Sequence, residues 1–410
     1  MKRIVANLLY TETGKDTAIV FLATGINIFI AGLFFVIAPR ILGPSDFGIF
    51  ATVVATGILV TNIANFGIDT GILRFASNGI KNNPYLSLAF KSYLILGTLT
   101  AVVGFLISPV LANMLGHYQL MPLLRIAFFS VGFILLTNFY VAALQAKKEF
   151  IKASLVNISS NLTKVVILAI AALFFSVGLY LITIIFFLTT IISVIAGKIL
   201  LPFELKTKSI EKPFVFFNYN LWVALSLIIA SIPLDNYFLL KLSGPVQTGL
   251  YAAPFKILTF VYQFAGNFTR VLAPRFSSFD TKEKAKTFAF KSFGIVMLMT
   301  FALIVLTFFG TTLIRLVFGG DYFSSGQIFK VLSIGFIFFF ASAVPSAIIL
   351  YYFGKSQITF FVTVIRLVVF ATLLYFLVPK MQALGAAVSY SVAEGVGFLL
   401  LTIYSLAKLK

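Results

Sequence analysis

The feature that most constrains this chain is a succession of apolar runs, each about as long as a bilayer is thick. A transmembrane helix needs about 20 mostly apolar residues, and the sequence supplies about twelve such runs. They lie near 17–38, 47–72, 87–107, 123–145, 154–174, 179–201, 220–241, 249–270, 289–314, 329–352, 357–378 and 382–405. The runs are continuous and lack the alternation that barrel strands require, so helices are expected and strands are not. Composition agrees: 60% of the residues are hydrophobic and 10% charged, against roughly 25% charged in a soluble domain. The first run is too long for a cleavable signal peptide and lacks a small-residue cleavage site, so it reads as a span. The expected fold class is an all-α polytopic membrane protein.

A net charge of +19 would suggest nucleic acid as the partner of a soluble chain. Its distribution points elsewhere. Most of the lysines and arginines fall at the amino terminus, at the carboxyl terminus and in the alternate loops beginning near 74, 147, 204, 271 and 355. The opposite loops and their margins hold few, namely Arg40, Arg125, Lys241, Arg315, Lys330 and Lys380. The positive-inside rule places both termini in the cytoplasm and requires an even number of helices. The basic excess is topological, with a secondary attraction to anionic membrane lipids, and no nucleic acid is expected.

Part of the sequence is written twice. Gly43-Pro44-x-x-x-Gly48-x-x-Ala51 returns as Gly244-Pro245-x-x-x-Gly249-x-x-Ala252, at an offset of 201. In the same register Arg74-Phe75-x-Ser77 returns as Arg275-Phe276-x-Ser278, and Lys81 as Lys282. After a one-residue gap, Ala89-Phe90-Lys91-Ser92 returns as Ala289-Phe290-Lys291-Ser292. Two halves built on one plan, the first with an even helix count, make parallel repeats related by an axis along the membrane normal. The expected organisation is a six-helix lobe over 1–202, a cytoplasmic interfacial linker over 203–219 and a second six-helix lobe over 220–410. The linker would set Lys206, Lys208 and Lys212 among headgroups and Phe214, Phe216 and Phe217 in the acyl boundary. Duplicated bundles in a membrane chain are a transporter signature.

What is missing narrows the chemistry. There is no cysteine and a single histidine, His117, in an outer loop. That excludes disulfides, thiolate metal sites and a Ser-His-Asp triad. Gly354-Lys355-Ser356 ends like a phosphate loop but has Ile349 where the upstream glycine belongs, and Gly395-x-Gly397 lacks a third glycine. No catalysis, metal or cofactor is expected.

Charges at bilayer depth each cost at least about 2.5–3.5 kcal/mol. Five stand out: Lys164, Asp235, Lys256, Arg366 and Glu394. Distance from the helix ends pairs Asp235 with Lys256 and Arg366 with Glu394, each across a helical hairpin. Either pair can be a self-neutralised packing device, or a carboxylate that binds or releases H⁺ or Na⁺ when its cation is drawn away. Lys164 has no acid at comparable depth in the first half, so it must snorkel, reach backbone carbonyls or meet an anionic ligand in a wet cavity. Asp69 aligns with Arg270 in the repeat, reversing charge near the cytoplasmic helix ends. Either one faces a cleft or stabilises a helix end beside Arg74 or Arg275. Asn27, Asn62 and Asn65 add polar amides to the first two helices, suited to interhelical hydrogen bonds or to substrate.

The stretch Arg40-Ile-Leu-Gly43-Pro44-Ser-Asp-Phe-Gly48-Ile-Phe, followed by Asn65-Phe-Gly67 and Leu73-Arg74-Phe75, resembles the opening of the oligosaccharide flippase family. That family belongs to the multidrug/oligosaccharidyl-lipid/polysaccharide exporter superfamily. Asp235 ahead of Gly244-Pro245 and Gly249-Leu-Tyr251-Ala252-Ala253 is similar to its second-half motif. The resemblance implies a V-shaped alternating-access transporter that moves a polyprenyl-pyrophosphate-linked oligosaccharide from the inner to the outer leaflet of the cytoplasmic membrane. It implies a cleft lined chiefly by the first two helices of each lobe, which here carry Arg40, Asp235, Lys256 and Arg270. A glycan polymerase or ligase would then be a neighbour. The peptidoglycan-precursor branch has two further helices, which the run count here does not supply. Two other readings compete: a cation-coupled drug exporter of the same superfamily, which would want an acid on the first helix, and a non-transporting scaffold of a glycan polymerase, which would not depend on Lys164 or Arg366.

Overall fold

The structure, a computed structural model, describes residues 12–76, 83–202 and 213–409. The side chains of 12–24, 260–271, 273, 274, 295 and 299 also lie outside the described residues. So do Ser77, Lys81, Lys206, Lys208 and Lys212. The described chain is helical and contains no strand, as uninterrupted apolar runs require of a backbone that must satisfy its own hydrogen bonds in lipid. In chain order the helices are α1 (Glu12–Asn65), α2 (Ile68–Phe75), α3 (Pro84–Leu115), α4 (Leu120–Ala146), α5 (Phe150–Phe174), α6 (Leu179–Leu188) and α7 (Thr190–Leu200). There follow α8 (Pro213–Phe217), α9 (Leu221–Ala230), α10 (Leu234–Ser277), α11 (Lys282–Phe308) and α12 (Gly310–Phe318). The last are α13 (Ser325–Ala341), α14 (Ala343–Ala347) and α15 (Ser356–Leu409), with a 3₁₀ turn at Gly320–Tyr322 and a π turn at Ile348–Tyr352.

Among the described residues, nine helical stretches are long and apolar enough to cross a membrane. Three of them are too long to cross only once: α1 and α15 have 54 residues each, roughly 80 Å if straight. Each long helix is interrupted where a turn is needed. In α1 the break is Gly43, with φ 67° and ψ 174°. In α10 it is Gly244, with φ 83° and ψ 174°. The repeated Gly-Pro therefore carries a repeated backbone geometry. Positive φ is the glycine's task, and the proline after it occupies the first position of the new helix, where its missing N–H costs nothing. In α15 the break is at Gln382, φ 50°, three residues after Pro379.

Other runs expected as single helices are jointed. The run at 47–72 breaks at Phe66 and Gly67, both with positive φ, before α2 begins. The run at 220–241 unwinds at 231–233, just ahead of Asp235. Pro233 removes one backbone donor and cannot continue the turn before it. That gives the first half of the span a free carboxyl end and the second half a free amino end.

Packing divides the chain into two compact units. One takes the described residues up to Phe34 together with Thr56–Leu221. The other takes Phe35–Ala55 together with Trp222 onward. In the first, Tyr93, Phe139, Tyr140 and Phe216 bury a core under α2. In the second, Phe276 and Ala289 bury a core with Phe340 and Val344. The copied residues Phe75 and Ala89, and Phe276 and Ala289, thus serve equivalent cores.

One linker expectation is corrected. Phe214 is 77% exposed, but Phe216 is 1% exposed. Its ring stacks on Tyr85 at 5.6 Å and meets Phe75 edge-on at 5.8 Å. Aromatic partners within α2 and α3 outcompete lipid for it.

Within the second unit, the first turns after the two Gly-Pro breaks cross at van der Waals limit. A side chain at Gly48 would strike the carbonyl of Pro245, and one at Gly249 would strike the carbonyl of Pro44. The contact is reciprocal, each glycine receiving the other segment's proline carbonyl.

Candidate functional site

The buried face of α5 is one stripe: Ala153, Val156, Ser160, Lys164, Leu168 and Ala171. These spacings of three and four put Lys164 in the protein interior by the same periodicity that places its apolar neighbours. Lys164 is 9% exposed. Its Nζ donates to Asn161 Oδ1 at 3.2 Å, one turn back on the same helix. Asn161 Nδ2 in turn donates to Asn27 Oδ1 at 2.8 Å, tying α5 to α1. The ammonium lies 4.6 Å from the centroid of the Phe186 ring, which is itself 5.3 Å from Phe34. No carboxylate among the described residues pairs with it. Its surroundings are neutral.

The second unit treats its cations differently. Arg366 on α15 forms an ion pair with Glu394, on the same helix beyond the Gln382 break. The side chains are 23% and 5% exposed. Gly397 leaves the space through which the Arg366 side chain passes. Arg366 Nε is buried without a hydrogen-bond partner. The two residues meet across the hairpin, as their equal depths suggest.

Asp235 and Lys256 do not close the expected ion pair. Asp235 stands in the first turn of α10, where its Oδ1 accepts from the backbone N of Asn236 at 2.8 Å and from Asn236 Nδ2 at 3.1 Å. Unwinding at 231–233 creates that free helix amino end, and a carboxylate is well placed there. Tyr251 lies beside the carboxylate without closing a hydrogen bond to it, and Asn236 Oδ1 is buried without a partner. Lys256 stays within electrostatic range of Asp235 and sits 5.2 Å from the centroid of Phe35. An aromatic cluster of Tyr251, Phe255, Phe336 and Tyr390 packs alongside.

Asp69 and Arg40 have other partners. Asp69 Oδ1 accepts from Thr70 N at 2.8 Å and Asn65 Nδ2 at 3.1 Å, and Asn65 Oδ1 accepts from Tyr93 at 2.5 Å. That is an N-terminal anchor for α2. Arg40 is exposed, and its guanidinium donates to the carbonyls of Leu316 and of Val317, the latter at 2.7 Å. These are among the last carbonyls of α12, where a cation also meets the negative helix end. Tyr322 adds a bond to Pro39 O at 3.2 Å. Arg40→Ala is therefore expected to raise amide exchange around Phe318–Tyr322, consistent with a loss of about 1.5–3 kcal/mol of charged hydrogen bonding. Unchanged exchange there would overturn the assignment. The side chain of Arg270 lies outside the described residues.

Asn161, Phe186 and Asn236 are partners that sequence reasoning passed over. The signal for Asn161 was present: it precedes Lys164 by three residues, on the same helix face. Among the described residues, no three of the metal-ligating side chains come together.

The described chain is all-helical, with repeated Gly-Pro breaks, buried charges and helices long and apolar enough to cross a membrane many times, which is the build of a multi-pass membrane protein. The chain belongs to the polysaccharide biosynthesis protein family, whose pattern matches residues 13–280. It is 23% identical over 372 residues to a Shigella flexneri protein named "Putative O-antigen transporter", covering 86% of this chain and 88% of that one. In fold it is similar to an inward-facing multidrug resistance MATE family transporter of the MOP superfamily, with TM-score 0.78 and 14% identity over 95% of this chain and 98% of that one. It is similar also to the lipid II flippase MurJ in an inward closed conformation, with TM-score 0.76 and 15% identity over 95% and 89% of the two chains.

Proposed function

We propose that this chain flips a polyprenyl-pyrophosphate-linked oligosaccharide from the inner to the outer leaflet of the cytoplasmic membrane, for cell-surface polysaccharide synthesis. The observation that carries the reading is the near full-length likeness to the O-antigen transporter relative, in a chain of the polysaccharide biosynthesis family. The interior supports it: at bilayer depth Lys164, Lys256 and Arg366 outnumber Asp235 and Glu394, so the protein carries a cationic excess suited to a diphosphate. The breaks at Gly43, Gly244 and Gln382, which interrupt three of the nine long stretches among the described residues, support a reading of about twelve passes of bilayer length. We read these passes as two parallel repeats over 1–202 and 220–410, joined by 203–219, with both termini cytoplasmic and with Phe35–Ala55 of the first repeat packing in the second compact unit.

Asp235 and Glu394 are the candidates for coupling to H⁺ or Na⁺, with Asp69 a lesser one. Lys164, Lys256, Arg270, Arg366 and Arg40 are the candidates for the substrate's charges. Purified protein in sealed vesicles carrying a fluorescent polyprenyl-pyrophosphate glycan should move the label between leaflets faster than protein-free vesicles do. An imposed H⁺ or Na⁺ gradient should change that rate, and Asp235→Asn with Glu394→Gln should remove the response. Movement of a cationic dye, with no movement of the glycan lipid, would replace this reading by drug export. Rates equal to those of empty vesicles for both would leave the scaffold.

A further inference from the structure

The three interior cations are not equivalent. Arg366 has Glu394, and Lys256 has Asp235 within range. Lys164 is buried with neutral company: the Asn161 amide, the Phe186 ring and its own helix stripe. An ammonium has three donors and no acceptor. Here one donor goes to Asn161, and a ring face at 4.6 Å is a weaker substitute for water.

The orientation of the relay adds to this. Lys164 donates to Asn161, and Asn161 donates to Asn27, so the chain of hydrogen bonds runs from a cation to an amide whose own NH₂ remains as donor. Both ends offer hydrogens. Nothing in it supplies negative charge. A set of donors around one buried cation, with its two amides half-buried, is matched to an oxyanion.

We propose that Lys164, Asn161 and Asn27 form the diphosphate seat of the transporter, within the first unit. The inference rests on the flippase reading above and narrows it to a place. It makes the lipid carrier's diphosphate, rather than the sugar, the group that α5 recognises. Because Asn27 sits on α1, occupancy of the seat is felt directly by that helix.

The test uses the full-length protein in detergent and farnesyl diphosphate as probe, with farnesol, inorganic pyrophosphate and phosphatidylglycerol as comparisons. Wild type should bind farnesyl diphosphate and not farnesol. Lys164→Met, which keeps length and removes charge, should weaken binding by about ten- to a hundredfold. Lys164→Arg should recover part of it. Lys330→Met, at an exposed lysine, should bind as wild type does. If Lys164→Met does not fold, Asn27→Ala serves, with a smaller loss expected.

Binding unchanged in Lys164→Met or Asn27→Ala overturns the proposal. So does equal competition by phosphatidylglycerol, which would make the seat one for membrane headgroups. Failure of the seat and failure of the flippase reading are separable. Glycan-lipid flipping that persists at the wild-type rate in Lys164→Met sinks the seat alone. Lys164-dependent diphosphate binding without flipping sinks the flippase alone.

Discussion

Arg366→Met is expected to lower the stability of the protein by about 3–5 kcal/mol, because it leaves the Glu394 carboxylate buried without a counter-charge. The double variant Arg366→Met with Glu394→Leu is expected to regain most of that loss, since an apolar pair of similar volume avoids both desolvation penalties. The two single variants should differ. Glu394 is 5% exposed and Arg366 23%, and a stranded guanidinium on its long flexible stem can snorkel toward a polar surface where the short, buried carboxylate cannot. Glu394→Gln should therefore cost less than Arg366→Met. Thermal unfolding of the four proteins in one detergent gives the comparison. A double variant as unstable as Arg366→Met would mean that the side-chain shapes, fitted against Gly397, matter more than the charges.

This pair was legible in the sequence because both residues lie on one hairpin and only depth had to be inferred. Asp235 was not legible in the same way. Its depth matched that of Lys256, but the unwinding at 231–233 gave it free backbone donors nearer than any side chain, and a local amide outcompetes a lysine one helix away. Pro233 was the available warning. Phe216 was misplaced for a related reason: an aromatic in a basic linker looks interfacial by composition, and only the neighbouring Tyr85 and Phe75 rings reveal a better burial site.

Lys164 could be recognised as unpaired, because the absence of an acid is countable in a sequence. Of its partners, Asn161 was signalled by its place three residues back on the same helix face, whereas Phe186 comes from a different helix and carried no such mark. The Gly-Pro repeats were the most transparent feature. A residue that must adopt positive φ declares itself as glycine, and two copies at one offset declare the same turn twice. The turn at Gln382 carries no such mark beyond Pro379.

Those repeats also yield the second large expected effect. Gly249→Ala should destabilise the second unit by an amount near the top of the range of about 1–3 kcal/mol typical of overpacking. The added methyl would meet the Pro44 carbonyl and the Gly48 backbone rather than a side chain able to rotate away, so relief requires moving a helix. Gly48→Ala should behave alike, because it meets the Pro245 carbonyl in the reciprocal position. The double variant should cost clearly less than the sum. Once the first methyl has pushed the two segments apart, the second enters space already opened, and residues in direct contact are where additivity fails. Gly294→Ala is the contrast: nothing lies within 4 Å of the position a methyl would take, and within helix α11 the change should be neutral or stabilising by up to about 1 kcal/mol. Amide exchange should rise around 43–50 and 244–252 in the first two variants and stay unchanged in the third. Strict additivity in the double variant would show that the two glycines serve separate contacts, and the crossing would then have no part in holding Phe35–Ala55 to the second unit.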